Sequence, residues 1–492
     1  MKKTLTVLVS VVIGIFFHGS HTLAKPQPTS NEPNQAAYLG PIPPDKLKQD
    51  LDFLFKTIEE VHPNMYAYTS KEQFTPLSHE LYQKINRPMS RVEFYKAVAP
   101  VVASLKSFHT IMLPFVDEYQ QHAKSGGKVF PLELRWDETS AILVKNYTPV
   151  LLPAGARITK INGRAATELF TNFSRWFAAE NIGTNPWLIE HPVFLRALLL
   201  LEYGPVESWH LKIETTNGRI ESYTVPSFTL SEFKTDEAVA TVERKEYYRI
   251  IPEYNAAIIK FFKWSGPEKL KVFFNETFQD IHEKRIANLI IDIRENTGGS
   301  DECVHMIMEY LATTPYRKYE RVSIKISSQT HDRIACLRRE FADKFANKEN
   351  GDIVTFELPT QSPADNPFKF SGRTFVLISP RSFSASTVFA SVVKCAQIAT
   401  LIGEETGDPT TLYADSIKFK LPNSGLGAWV ASKLLVCACG KPDGRGVIPD
   451  YEVKQTIQDT AKGVDTVVQF TLNLIKDPNS GIQQKGANPR GE

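Results

Sequence analysis

The chain has 492 residues with 42% hydrophobic and 23% charged side chains, a globular balance with room for about three domains. Formal net charge is +2, and the first 24 residues carry Lys2 and Lys3 but no acid, so the remainder is balanced at 55 basic and 55 acidic groups. That balance, without a basic block, excludes the electrostatic footprint of a nucleic-acid or anionic-membrane binder.

Lys2 and Lys3 precede an apolar run from Leu5 to Phe17, and Thr22-Leu23-Ala24 offers small residues at a cleavage position. Residues 1–24 therefore read as an export signal, too short to span a bilayer, and the mature chain is expected to be periplasmic or secreted and free of the membrane. Six prolines between 25 and 44 mark an extended linker.

Leu47, Leu51, Leu54, Ile58 and Val61 recur at helical spacing until Pro63. Ser90 and Glu93 form a capping box ahead of a helix whose Phe94, Val98, Val101 and Leu105 share a face, so residues 45–120 are expected to be a helical domain. From Phe130 the period shortens, with Phe130, Leu132, Leu134 and Trp136 alternating as in a half-buried strand. Arg157 to Ile161 then runs as a strand into an Asn162-Gly163 hairpin turn. Beyond residue 240 the apolar strands 257–262, 289–293, 374–378 and 399–402 alternate with helices, one of them expected to be capped by Ser265 and Glu268. This pattern predicts a layered α/β domain with a largely parallel sheet.

The five cysteines are few and odd in number, so no disulfide scaffold is expected. Cys437 and Cys439 would share one face of a strand and pack there. No CxxC or HExxH pattern appears, so neither a metal nor a cofactor is predicted.

Two strand-to-helix junctions carry candidate chemistry. Arg294-Glu295-Asn296-Thr297-Gly298-Gly299-Ser300 can turn main-chain N–H groups toward an oxyanion. Ser382-Phe383-Ser384-Ala385-Ser386 can present a serine hydroxyl at the start of a helix. With them, the sequence resembles the S41 peptidase family, the group of the tail-specific processing proteases and tricorn protease. Asp292 to Gly299 looks like "D-L-R-x-N-x-GG", Ser384-Ala-Ser-Thr387 with Gly403-Glu-Glu-Thr-Gly407 like "S-A-S-E … G-E-x-T-x-G", Gly444 to Asp450 like "G-x-GV-x-PD", and Ser107 to Thr110 like "D-G-H-T". The segment Leu152 to Gly163 resembles part of a PDZ domain, with Ala156 in place of the usual Asp.

The resemblance implies a multidomain α/β protein: an N-terminal helical domain over 45–120, a PDZ-like β-rich module over 126–235, a crotonase-like α/β catalytic domain over 240–475 and a disordered tail from 477 to 492. It implies Ser384 as nucleophile, with Ser382 and Ser386 left as helix caps, and the N–H groups of Gly298, Gly299 and Ala385 as oxyanion donors. Where the processing proteases carry a lysine base this chain has Pro409, and where they carry an aspartate it has Cys395. The histidine-containing branch fits instead, with His109 as the base, titrating in one step near neutrality if unperturbed. Asp443 stands where the family has a Glu and would orient His109, with Glu404 and Glu405 as rivals. The implied activity is hydrolysis of protein or peptide substrates through an acyl-enzyme, the substrate's C-terminus held by the PDZ-like module. The alternatives are an esterase, or a catalytically inactive binding protein for apolar ligands or peptides on the same scaffold.

Overall fold

A computed structural model describes residues 40–477, apart from 114–115, 137–139, 154, 179–185, 216–217, 234–245, 456–458 and 460–462. The export signal, most of the linker, Ala154 and the tail beyond 477 lie outside the described residues. No helix among the described residues is long and apolar enough to cross a membrane.

The N-terminal region is built from α1 (Pro44–Val61), α2 (Lys71–Lys84) and α3 (Arg91–Ala103). Helix α3 starts where the sequence predicts: Ser90 Oγ accepts the Glu93 N–H, and the Glu93 carboxylate accepts the Ser90 N–H. The two-residue strand β1 (Ile111–Met112) leaves this region to pair with Trp429 and Ala428, far along the chain.

Next comes a twisted antiparallel sheet of β2 (Leu132–Trp136), β3 (Ala141–Asn146), β4 (Arg157–Ile161), β5 (Arg164–Ala165), β6 (Ser208–Glu214) and β7 (Ile220–Pro226). Its order is β2-β3-β4-β6-β7, with β5 paired to β4. The β4–β5 hairpin turns at Asn162 and Gly163, with φ of 47° and 83°, the left-handed pair this dipeptide favours. Helices α4 (Ala166–Ser174), α5 (Pro186–Glu190) and α6 (Pro192–Tyr203) pack beside it. One apolar core runs through α1 to α3 and this sheet and reaches Phe383.

The C-terminal half holds a second sheet of β8 (Tyr247–Ile251), β9 (Ala256–Lys260), β10 (Asn288–Asp292), β13 (Arg373–Ile378), β14 (Thr400–Gly403) and β17 (Tyr451–Glu452). All its pairings are parallel except β8 with β9, as the alternation of strands and helices predicts. Both faces of the inner strands β9, β10, β13 and β14 are covered, which is why each carries an apolar run. Leu289 and Ile291 face α7 (Pro267–Glu283), α8 (Glu302–Leu311) and α9 (Ala385–Cys395), while Ile290 faces α10 (Thr466–Lys476). Each such buried side chain contributes roughly 1.5–3 kcal/mol of transfer free energy. A third sheet joins β11 (Tyr319–Lys325), β12 (Ile353–Phe356), β15 (Thr411–Lys420) and β16 (Gly427–Cys437) with β1.

Two local expectations are corrected. Helix α7 is not capped by Ser265 and Glu268: its N-cap is Gly266 at φ 67°, with Pro267 opening the helix and no side-chain cap. Cys439 does not pack on the strand with Cys437. It leaves β16 in a left-handed conformation, φ 53°, and forms a disulfide with Cys395 at the end of α9, while Cys303 and Cys437 are buried thiols.

Candidate active site

Strands β10 and β13 end side by side, so the two turns that leave them meet. Asn296 joins them: its Oδ1 accepts the Gly298 N–H (3.0 Å), its Nδ2 donates to the Phe261 carbonyl (3.3 Å), and its own carbonyl accepts the Phe383 N–H (3.1 Å). Gly298 has φ 100°, and a Cβ there would lie 2.7 Å from Ser384 Cβ and 2.8 Å from the Phe383 carbonyl oxygen. Only glycine lets the first turn approach the second so closely.

The three serines separate cleanly. Ser382 is buried, its hydroxyl accepting the Ser379 N–H (3.0 Å) and donating to the Ile293 carbonyl (2.9 Å). Ser386 is buried, accepting from Trp264 Nε1 (2.8 Å) and donating to the Asn296 carbonyl (2.8 Å). Neither caps the helix, contrary to the sequence expectation; both tie the serine turn to the glycine turn. Ser384 is half-buried at the N-cap of α9 with φ 54° and ψ −117°, and its hydroxyl makes no hydrogen bond to a described residue. An L-residue with that backbone conformation is strained, a feature concentrated at functional sites.

Of the three expected oxyanion donors, Gly298 is already engaged with Asn296 Oδ1, a correction to the sequence expectation. The N–H groups of Gly299 and Ala385 have no hydrogen-bond partner among the described residues. Gly299 is fixed by close packing, since a Cβ there would fall 2.2 Å from the Trp264 carbonyl oxygen.

His109 arrives from the N-terminal region. Its ring stacks on Phe383, the residue before Ser384, with centroids 5.7 Å apart, and its carbonyl accepts the Ser416 hydroxyl (2.9 Å). Thr110 Oγ1 accepts the Ala431 N–H (3.1 Å), so β15 and β16 both hold this segment. His109 Nδ1 is buried and makes no hydrogen bond of good geometry. Burial pushes the imidazole down to about 4, against the opposing pull of the Asp415 carboxylate and the Tyr413 main chain.

The acids fall differently from expectation. Asp443 is exposed, and its Oδ1 accepts the Arg445 N–H (2.9 Å) in a local turn; it makes no hydrogen bond to His109. Glu405 is held by the Arg445 guanidinium and by the Gly446 N–H, both at 2.6 Å. Glu404 is half-buried, and burial raises its carboxyl above the usual range. The carboxylate whose charge acts on His109 is Asp415, itself paired with Lys433 (2.7 Å) and Arg333 (2.8 Å).

Two features escaped the sequence. Asp408, in what reads as an ordinary Gly-Asp-Pro turn, is 1% exposed and accepts the Ser384 N–H through Oδ2 (2.7 Å). Arg381, three residues before Ser384, bridges Glu295 of the glycine turn (2.8 Å) and Glu190 of α5, whose carboxylate also accepts the Trp136 N–H (2.9 Å). Long-range contacts of this kind leave no local pattern.

An N-cap serine whose hydroxyl makes no hydrogen bond to a described residue, two main-chain N–H groups without a partner among the described residues and a half-buried histidine stacked on the serine turn are thus brought together. Residues 255–453 match the model of peptidase family S41. The fold is similar to that of mature CPAF complexed with lactacystin, with a TM-score of 0.63 at 14% identity over 89% of this chain and 98% of that one. It is likewise similar to a serine-to-alanine mutant of CPAF, with a TM-score of 0.66 at 13% identity over 91% and 99%. A photosystem II D1 C-terminal processing protease aligns at 12% identity over 87% and 97%, with a TM-score of 0.46. No curated protein sequence matches the chain. The family match supports a serine-type peptidase, and the solved structures show the multidomain α/β fold.

Proposed function

We propose that the chain is an exported serine peptidase working through an acyl-enzyme with a histidine base, not a serine–lysine pair. Ser384 Oγ attacks the peptide carbonyl, and His109 takes the hydroxyl proton and returns it to the leaving amine. The N–H groups of Gly299 and Ala385 hold the oxyanion, and water then releases the acyl group. The observation that carries this reading is the contrast among the three serines: Ser382 and Ser386 spend their hydroxyls on the two turns, and Ser384 does not. Asp443 is proposed as the carboxylate that orients His109 once substrate is bound, since catalytic hydrogen bonds often tighten only in the substrate complex. Asp415 is the rival, favoured by its charge on His109.

The antiparallel sheet over 132–226 is proposed to act as the PDZ-like module and to take an extended peptide end by strand addition. The Cys395–Cys439 disulfide fits an oxidising compartment and supports export.

The experiment is labelling of the purified chain with a fluorophosphonate, followed by sequencing of the labelled peptide. Label on Ser384, lost in Ser384→Ala together with peptide hydrolysis by a factor on the order of a million, is the expected result. Retained hydrolysis in Ser384→Ala, or label on Ser386, ends the proposal. In the same assay Asp443→Asn and Asp415→Asn assign the orienting acid by which of them lowers kcat.

A further inference from the structure

Asp408 is a buried ionisable group that this mechanism leaves unused. It lies just after β14, one oxygen accepting the Ser384 N–H at 2.7 Å and the other buried with no partner among the described residues. Its turn is held from several sides. Gly407 N–H donates to the Ser382 carbonyl (3.1 Å), Thr406 Oγ1 accepts the Val447 N–H (2.8 Å), and a Cβ on Gly407 would meet the Pro380 carbonyl oxygen at 2.2 Å. The carboxyl therefore sits on the serine turn because the backbone puts it there, not through a pliable surface contact.

Burying a carboxyl group for one hydrogen bond is costly, and cores usually avoid it. Here the bond falls on the residue with φ 54° and ψ −117°, whose conformation an L-residue does not hold unaided. It also occupies the Ser384 N–H, leaving only Gly299 and Ala385 as oxyanion donors.

We propose that Asp408 is a positioning residue for the nucleophile: by accepting the Ser384 N–H it fixes the strained turn that presents Ser384 Oγ, and it keeps that N–H out of the oxyanion site. This rests on Ser384 being the nucleophile. Burial holds the Asp408 carboxyl well above the usual carboxylate range, which favours the neutral acid. A neutral acid accepts the N–H without setting a full negative charge beside the forming oxyanion.

The test is the rate of phosphonylation by a fluorophosphonate, in which Ser384 Oγ displaces fluoride from phosphorus, resolved into a maximal rate and a half-saturating concentration. Wild type must be labelled at Ser384; if it is not, the peptidase reading fails before this inference is reached. In Asp408→Ala the maximal rate should fall about tenfold to a hundredfold, with half-saturation moving less than about threefold, because the turn loosens while the cleft persists. Asp408→Asn, whose side-chain carbonyl can accept the same N–H, should recover the rate to within about threefold of wild type. A role in stability alone would lower the melting temperature without this split. Wild-type maximal rate in folded Asp408→Ala, or an Asn variant as slow as the Ala variant, overturns the proposal. If Asp408→Ala does not fold, the apolar near-isostere Asp408→Leu replaces it, and a folded but slow Asp408→Asn still refutes the idea.

Discussion

His109 shows how environment redirects a residue whose type the sequence announces. A histidine in Ser107-Phe-His-Thr110 reads as a base that titrates near neutrality, and in water it would. In the fold its ring lies against Phe108 and Phe383, and desolvation lowers it to about 4. A base must be neutral to accept the serine proton, and this one remains neutral until the pH drops toward 4. The acid limb of kcat/KM is therefore expected near pH 4, with activity rising through it and flat across 6 to 7. A pH–rate profile with a peptide substrate checks this, and a limb at 6 to 7 would show that the imidazole is solvated in the working enzyme. The segments carrying Ser384 and His109 stand out in the sequence because each is a short pattern, and the fold brings the two segments together through Phe383. Asp408 was not, since its partner, the Ser384 N–H, lies 24 residues away and belongs to the backbone.

At the level of elements, strands β9, β10, β13 and β14 were legible for a simple reason. A strand covered on both faces is apolar at every position, and Leu289-Ile290-Ile291 shows it. The end of α9 was not legible. Cys395 closes that helix and Cys439 follows β16, and no spacing rule pairs cysteines 44 residues apart. Their bond ties the helix that begins at Ser384 to the turn that carries Asp443. A loop of that length constrains the unfolded chain enough to contribute about 2–4 kcal/mol. Cys395→Ser with Cys439→Ser should lower the denaturant-derived unfolding free energy by that amount, while the phosphonylation rate per folded molecule falls less. Equal stability of the double variant and the oxidised wild type would remove the bond from the stability of this fold.

On the scale of the whole molecule, the N-terminal region is built into the candidate site, because β1 enters the third sheet and the His109 ring just before it stacks on Phe383. The seam is buried, and it includes a second histidine. His62, at the end of α1, packs tilted against Tyr413 of β15 with ring centroids 4.5 Å apart, its Nδ1 accepting the Asn64 N–H and its Nε2 lying 3.3 Å from Ser107 Oγ. Burial, with Lys325 adding to it, pushes this imidazole down to about 3; burial likewise lowers His305 to about 4. In the unfolded chain all three histidines take up protons as pH falls below about 6.5, whereas the native state refuses them until about 3 to 4. The unfolded state thus binds more protons, and stability drops as pH falls, by about 1.4 kcal/mol per pH unit for each histidine. Asp408 and Glu404, both raised by burial, protonate first in the native state and oppose part of this slope. Comparing two variants cancels every group except the one changed. His62→Gln is therefore expected to lose one proton's worth of slope between pH 6 and 4.5, whatever it does to absolute stability. Urea unfolding at several pH values, with constant m, measures it. Parallel lines for His62→Gln and wild type would mean that His62 is protonated in the native seam, and that the junction between the helical region and the third sheet is wet.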